Sequence, residues 1–110
     1  MDVKRFETGA EQASELVKSL AHPVRLRILC ALAGKECSVT MLAETAGAGM
    51  STISRHLALL RKDHIVKARR ARQTIVYSLS DANIGKIIAL LTETFCDAAT
   101  SPKSQRKKNP

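Results

Sequence analysis

Two sets of side chains in this 110-residue chain could do chemistry. The first lies in residues 50–62, MSTISRHLALLRK. Ile53, Leu57 and Leu60 recur at i, i+4, i+7, with Met50 a turn earlier, and form one apolar stripe. At about 100° per residue, Ser51, Arg55, Ala58 and Lys62 point away from that stripe. The outward N-terminal turns therefore carry Ser51, Thr52 and Arg55, with Ser54 at the flank. Short hydroxyl side chains let a helix approach base edges in a DNA major groove, and a guanidinium can bind guanine through two parallel bonds. An ordinary amphipathic surface helix has the same pattern, so the surroundings must decide. His56 points neither fully inward nor fully outward and reads equally as a packing residue or a phosphate contact. The second set is three thiols, Cys30, Cys37 and Cys96. In a reducing compartment they are free thiols, metal ligands or redox sensors rather than a disulfide framework.

Composition narrows the partner. Lys and Arg number 18 against 10 Asp and Glu, for a formal charge of +8. A small chain this basic expects a polyanion, with nucleic acid ahead of an anionic membrane. The only aromatic residues are Phe6, Tyr77 and Phe95, too few for base-stacking platforms on single strands or RNA. No apolar run approaches the roughly 18 residues of a membrane span, and the N-terminus lacks a secretory pattern. A cytoplasmic protein with no membrane partner is expected. No nucleophile–base set and no phosphate-cradling glycine loop is visible, so an enzyme is not expected.

The elements that hold these groups follow along the chain. Residues 1–9 lack periodicity and read as a flexible N-terminal arm. Ala13, Leu16, Val17 and Leu20 mark a first amphipathic helix from Ala10. Pro23 suits the first position of a second helix, with His22 at its cap. That helix is expected to reach Ala33, with Leu26, Leu29, Cys30 and Ala33 on one face and Gly34 closing it. Ser38 can cap a short helix, residues 39–46, followed by the turn Gly47-Ala48-Gly49 and the 50–62 helix. Two short helices joined by a glycine-containing turn predict a helix-turn-helix. Residues 65–69 and 74–79 are β-prone. With Arg70-Ala71-Arg72-Gln73 between them they predict a hairpin with a basic tip, or wing. Six Lys or Arg fall between Arg61 and Arg72, against one Asp. Arg69, Arg70, Arg72 and Gln73 are placed there to meet phosphates or the minor groove. Ser80 or Asp81 caps a last helix striped by Ile84, Ile87, Ile88, Leu91 and Phe95. The apolar surface of the first and last helices predicts a two-fold homodimer with two reading heads. The expected class is mainly α with a small β-hairpin, in the order α-α-α-α-β-β-α. One winged helix-turn-helix domain spans 10–100, and a disordered basic tail follows at 101–110.

That order has a counterpart. The chain resembles the ArsR/SmtB family of small bacterial winged-helix repressors in four segments. These are Ser19-Leu-Ala-His-Pro-Val-Arg-Leu-Arg-Ile-Leu29 running into Cys30, Val39-Thr-Met-Leu-Ala43, Ser54-Arg-His-Leu57, and Gln73-Thr-Ile-Val-Tyr-Ser-Leu79. The match spans roughly residues 10–97, and the joint pattern is more specific than any one piece. The resemblance implies a homodimer on double-stranded operator DNA, an inverted repeat, released when an effector binds. One departure is His64, where the family usually has glycine. His tolerates positive φ better than most residues, so a helix-closing role is expected there.

The resemblance also locates possible sensors. Ser38 and Thr40 occupy the positions of the family's arsenic-type thiols, with Cys37 out of register. The zinc-type positions look like Asp81, Asn83, Thr94 and Asp97, with no imidazole or thiolate among them. Neither a metal nor any other cofactor is expected. What remains is Cys30 and Cys96. The pair is similar to that of the sulfide- and redox-responsive branch, the biofilm-growth-associated and sulfane-sulfur-responsive repressors. It implies a disulfide or polysulfide link formed by reactive sulfur species or oxidation. The alternatives are an arsenite or soft-metal site using all three thiols, and a constitutive DNA-binding protein whose cysteines only pack.

Overall fold

The structure, a computed structural model, describes residues 2–95. Cys96 and the basic tail lie outside the described residues. Five helices and three short strands follow one another: α1 (Gly9–Leu20), α2 (Pro23–Gly34), β1 (Cys37–Ser38), α3 (Val39–Ala46), α4 (Met50–Lys62), β2 (Val66–Ala71), β3 (Thr74–Leu79) and α5 (Ala82–Phe95). Residues 3–8 wind through turns into α1, with Phe6 N–H donating to the Val3 carbonyl. The winged helix-turn-helix order expected from the sequence is present.

Helix α2 is the central element, packed against α5, α3, α4 and β3. Proline occupies its first turn, and His22 Nδ1 accepts from Val24 N–H at 3.2 Å, the cap expected of it. The core face differs from the expected one. Ile28, Leu29 and Leu32 are buried, whereas Cys30 and Ala33 are exposed and Leu26 is half-buried. Apolar residues surround this helix on several sides, so periodicity alone could not choose its face. Nor does Gly34 close α2 through a left-handed turn; it is the last helical residue, and Lys35 continues in extended backbone.

Ile28, Leu29, Leu42, Ile53, Leu57 and Leu60 are fully buried in one cluster that locks α2, α3 and α4 together. Each such side chain contributes about 2 kcal/mol of transfer free energy. Met50, expected on the same stripe, is instead half exposed, because the turn before α4 leaves its first residue beyond the core. The sheet adds a strand the sequence did not suggest. Two residues, Cys37 and Ser38, pair with Tyr77 and Val76 to give the antiparallel order β1-β3-β2. The same Ser38 caps α3, its hydroxyl accepting from Met41 N–H at 3.3 Å.

Asp81 rather than Ser80 caps α5, its Oδ1 accepting from Asn83 N–H at 2.7 Å. Helix α5 buries Ile84 and Ile88 against the domain and leaves Ile87, Leu90, Leu91 and Phe95 exposed. Val17 of α1 is exposed as well. No described helix is long and apolar enough to cross a membrane.

Candidate nucleic-acid interface

Helices α3 and α4 form the helix-turn-helix. Gly47 stands at φ 68°, the left-handed conformation that costs a glycine nothing, and Ala48 N–H reaches back to the Ala43 carbonyl at 3.2 Å. Arg27 of α2 braces the same corner, donating from Nε to the Ala46 carbonyl at 2.9 Å. Helix α4 then begins at a Gly49 cap with no side-chain bond and no acidic residue in its first turn. With no side-chain cap and its first residues, Met50 and Ser51, exposed, this helix end is suited to phosphate. Ser51, Ser54 and Arg55 are exposed and Thr52 is half-buried, so the face expected to read bases is open.

His56 resolves differently. It is buried beside Leu57, only 7 % exposed, and faces the domain, so it does not present itself to DNA. Its helical spacing from Ile53 and Leu60 was the available signal. Burial, with His22, Arg25 and Arg55 adding, holds its imidazole below the ordinary histidine value.

The end of α4 carries the wing outward. His64 takes φ 62°, as its position predicted. Its N–H donates to the Arg61 carbonyl and Ile65 N–H donates to the Leu60 carbonyl, the paired closure of a Schellman motif. Strands β2 and β3 pair from Val66 with Leu79 to Ala71 with Thr74, so only Arg72 and Gln73 remain at the tip. The first strand thus starts one residue later and runs two residues further than expected, and Arg70 belongs to β2. Arg72 also has φ 62°. Arg70, Arg72 and Gln73 are exposed, and neither arginine forms an ion pair among the described residues.

Arg69 is engaged elsewhere. Its Nε and Nη2 donate to the two carboxylate oxygens of Glu36 at 2.9 and 2.6 Å. That fork holds the Glu36 carboxyl below the usual carboxylate range. The pair pins the base of the wing to the segment entering β1, so Arg69 is held away from the free-cation role expected of it. Glu36 gave no sequence signal, because its partner lies 33 residues away.

The thiols separate. Cys37 is 3 % exposed, and its Sγ donates to the Lys35 carbonyl at 3.5 Å. Burial pushes this thiol up, against a smaller opposing effect from Lys35. Cys30 is exposed on α2, with its Sγ 3.7 Å from the Thr92 hydroxyl of α5. It lines an apolar pocket of about 340 Å³ with Leu26, Ile88, Leu91 and Phe95. Cys96 follows Phe95 in the chain but lies outside the described residues. Among the described residues no three His, Cys, Asp or Glu side chains gather as a metal-binding group.

Comparison with known proteins agrees with this geometry. Residues 22–68 match the family described as bacterial regulatory protein, arsR family. The chain is 37 % identical to the transcriptional activator HlyU of Vibrio cholerae over 89 % of its own length and 91 % of that protein. A structure of reduced HlyU from the same organism superposes with a TM-score of 0.78 at 36 % identity, covering 86 % of this chain and 99 % of that one. The crystal structure of the transcriptional repressor BigR from Xylella fastidiosa gives a TM-score of 0.81 at 36 % identity, covering 88 % and 99 %. A homodimeric winged helix-turn-helix DNA-binding domain from Mycobacterium bovis gives 0.71 at 26 %, covering 94 % of both chains. These similarities run through both the helix-turn-helix and the wing, and they settle the fold and the class of partner together: the chain belongs to the ArsR family of bacterial DNA-binding transcription regulators.

Proposed function

We propose that the protein is a dimeric repressor whose grip on operator DNA is switched by reactive sulfur species or oxidation at Cys30 and Cys96. Two copies meet through α1 and α5, covering Val17, Ile87, Leu90, Leu91 and Phe95, which a lone domain leaves in water. Each reading head inserts α4 into a major groove of an inverted repeat. Ser51, Thr52, Ser54 and Arg55 meet bases and phosphates there, while Arg70, Arg72 and Gln73 of the wing track the backbone.

The observation that carries the switch is the placement of Cys30. Its thiol is exposed at an apolar pocket whose far wall is the last described turn of α5, one residue before Cys96. The chemistry is thiol exchange. A Cys30 thiolate attacks a sulfur atom of a polysulfide, its S–S bond breaks, and the departing fragment leaves as a thiolate. The Cys96 thiolate then attacks either the Cys30 sulfur itself, expelling the attached fragment as a thiolate or hydrosulfide, or the next sulfur along, expelling only what lies beyond it. The two thiols lose two protons and two electrons to the polysulfide, and a disulfide remains, or a longer bridge where sulfur is retained. Such a cross-link joins the core helix α2 to the dimerisation helix and resets the spacing of the reading heads. The reduced state in which the Vibrio cholerae relative was solved accords with thiol chemistry of this kind.

The test measures operator affinity of the reduced protein before and after a polysulfide donor, with intact mass on the same samples. Loss of affinity with sulfur bridging Cys30 to Cys96 is the expected result. Unmodified thiols, or linked thiols with undiminished binding, refute the switch.

A further inference from the structure

A part-buried polar chain runs beneath α4, and base reading and thiol chemistry leave it unused. His56 Nδ1 accepts from Arg25 Nε at 3.1 Å. Nδ1 therefore carries no proton, and the imidazole is neutral with its proton on Nε2. The same guanidinium donates from Nη1 to the Ser19 carbonyl in the last turn of α1, also at 3.1 Å. Ser19, 8 % exposed, donates its hydroxyl to Asp63 Oδ2 at 2.6 Å, on the residue that ends α4. The His22 ring lies 4.5 Å from that of His56, centroid to centroid, with its own Nδ1 occupied by the α2 cap. Arg25 and Ser19 thus tie the α1–α2 corner to the middle and the end of α4.

We propose that Arg25 is a positioning residue for DNA reading, docking α4 through neutral His56 onto the α1–α2 corner, in a lock that opens when His56 Nδ1 takes a proton. The inference rests on α4 being the helix that reads DNA. A protonated Nδ1 turns from acceptor to donor and confronts the Arg25 donor. The new charge also meets the guanidinium groups of Arg25 from α2 and Arg55 on α4 itself, and the His22 ring beside it at the corner. Asp63, the one nearby carboxylate in this chain of bonds, is bonded to Ser19. Burial favours neutral His56, so the lock is closed at neutral pH and opens only as pH falls through a folded value held below that of an ordinary histidine. Arginine is needed because its planar fork serves two acceptors on different helices at once, which a lysine ammonium does less well. When the lock opens, α4 is released beside Arg55, so specific reading suffers while general attraction to phosphate does not.

The test uses the full chain, a duplex enriched from a randomised DNA library by the wild-type protein, and a scrambled duplex of equal composition. The readout is the ratio of the two affinities from about pH 7.5 to about pH 5. The wild-type ratio is expected to fall several-fold on acidification. Added positive charge would strengthen both affinities alike. His56→Gln keeps an acceptor for Arg25 but cannot titrate; its ratio should match wild type at about pH 7.5 and stay flat below. Arg25→Met keeps the aliphatic stem and loses the donors. Its ratio should be about tenfold lower at neutral pH with the dimer intact. A wild-type ratio indifferent to pH, or a His56→Gln ratio that falls in parallel, overturns the proposal. So does a wild-type ratio in Arg25→Met. If Arg25→Met does not fold, the pH profile of His56→Gln decides alone. Arg55→Ala, measured beside them, keeps the two readings apart. Undiminished specificity there removes α4 as the reading helix, whereas its loss with an unaffected Arg25→Met removes only the lock.

Discussion

Replacing Arg72 by glycine separates backbone strain from DNA contact at the wing tip. Arg72 holds φ 62° without being glycine. A side chain in the left-handed region costs about 1–2 kcal/mol. Glycine returns about 0.4–1 kcal/mol of that through the greater freedom of the unfolded chain. The net gain is about 0.5–1 kcal/mol, or a rise in Tm of about 2–8 °C for a domain of this size. The same substitution removes an exposed guanidinium that has no ion-pair partner among the described residues. If that group meets a phosphate, operator affinity falls and the slope of log K against log salt flattens by about 0.9 per contact in each protomer. His64→Gly is the matched control. It relieves the same φ of 62° at the end of α4, away from the wing tip, so Tm should rise while the salt slope holds. The assays are thermal unfolding without DNA and operator binding across a salt series. An unchanged slope in Arg72→Gly refutes DNA contact at the tip. A fall in Tm in both variants refutes the strain argument.

Other substitutions probe the remaining parts. Cys30→Ser should bind operator as wild type does yet keep its grip after polysulfide treatment; release of the variant from DNA would exclude Cys30 as the sensor. Glu36→Gln frees Arg69 from its fork and should steepen the salt dependence of DNA binding, whereas an unchanged slope would show that Arg69 cannot reach phosphate. Because the Glu36 carboxyl is held below its usual value, its pairing with Arg69 is complete above the unfolded glutamate pKa. The pairing should be lost only as pH falls through that depressed folded value, followed by NMR titration of the Glu36 carboxyl. Leu57→Ala empties the centre of the buried cluster and should cost about 2–5 kcal/mol in chemical denaturation; a loss below about 1 kcal/mol would contradict that packing.

Much of the reading head was legible because local signals there agree. The stripe of Ile53, Leu57 and Leu60, the glycine turn and the Ser38 cap all point to the same two helices, and both occur with the expected bounds. His64 was legible through the resemblance, because it stands where the family usually has glycine, at a helix end that needs positive φ. What stayed hidden depends on distant partners or on segments with little pattern of their own. Strand β1 is two residues long and exists only because β3 offers it an edge. Arg69 looked like its neighbours until Glu36 was beside it. His56 was ambiguous because a histidine at the border of an apolar stripe is drawn inward only if a donor awaits it, and Arg25 is 31 residues away. The core face of α2 is not legible from periodicity because its flanks are nearly as apolar as its buried side.

The two sides of α2 bear on how such a regulator can change over time. One side holds Ile28, Leu29 and Leu32, on which the reading head is built, and alterations there spread through the whole domain. Cys30 stands off that side, in water, where most replacements shift stability by less than about 0.5 kcal/mol. Under the proposed switch, responsiveness can therefore be gained, lost or exchanged at Cys30 while the apparatus that recognises DNA remains as it was. On that reading a single helix is both foundation and receiver, and a new stimulus needs no new operator.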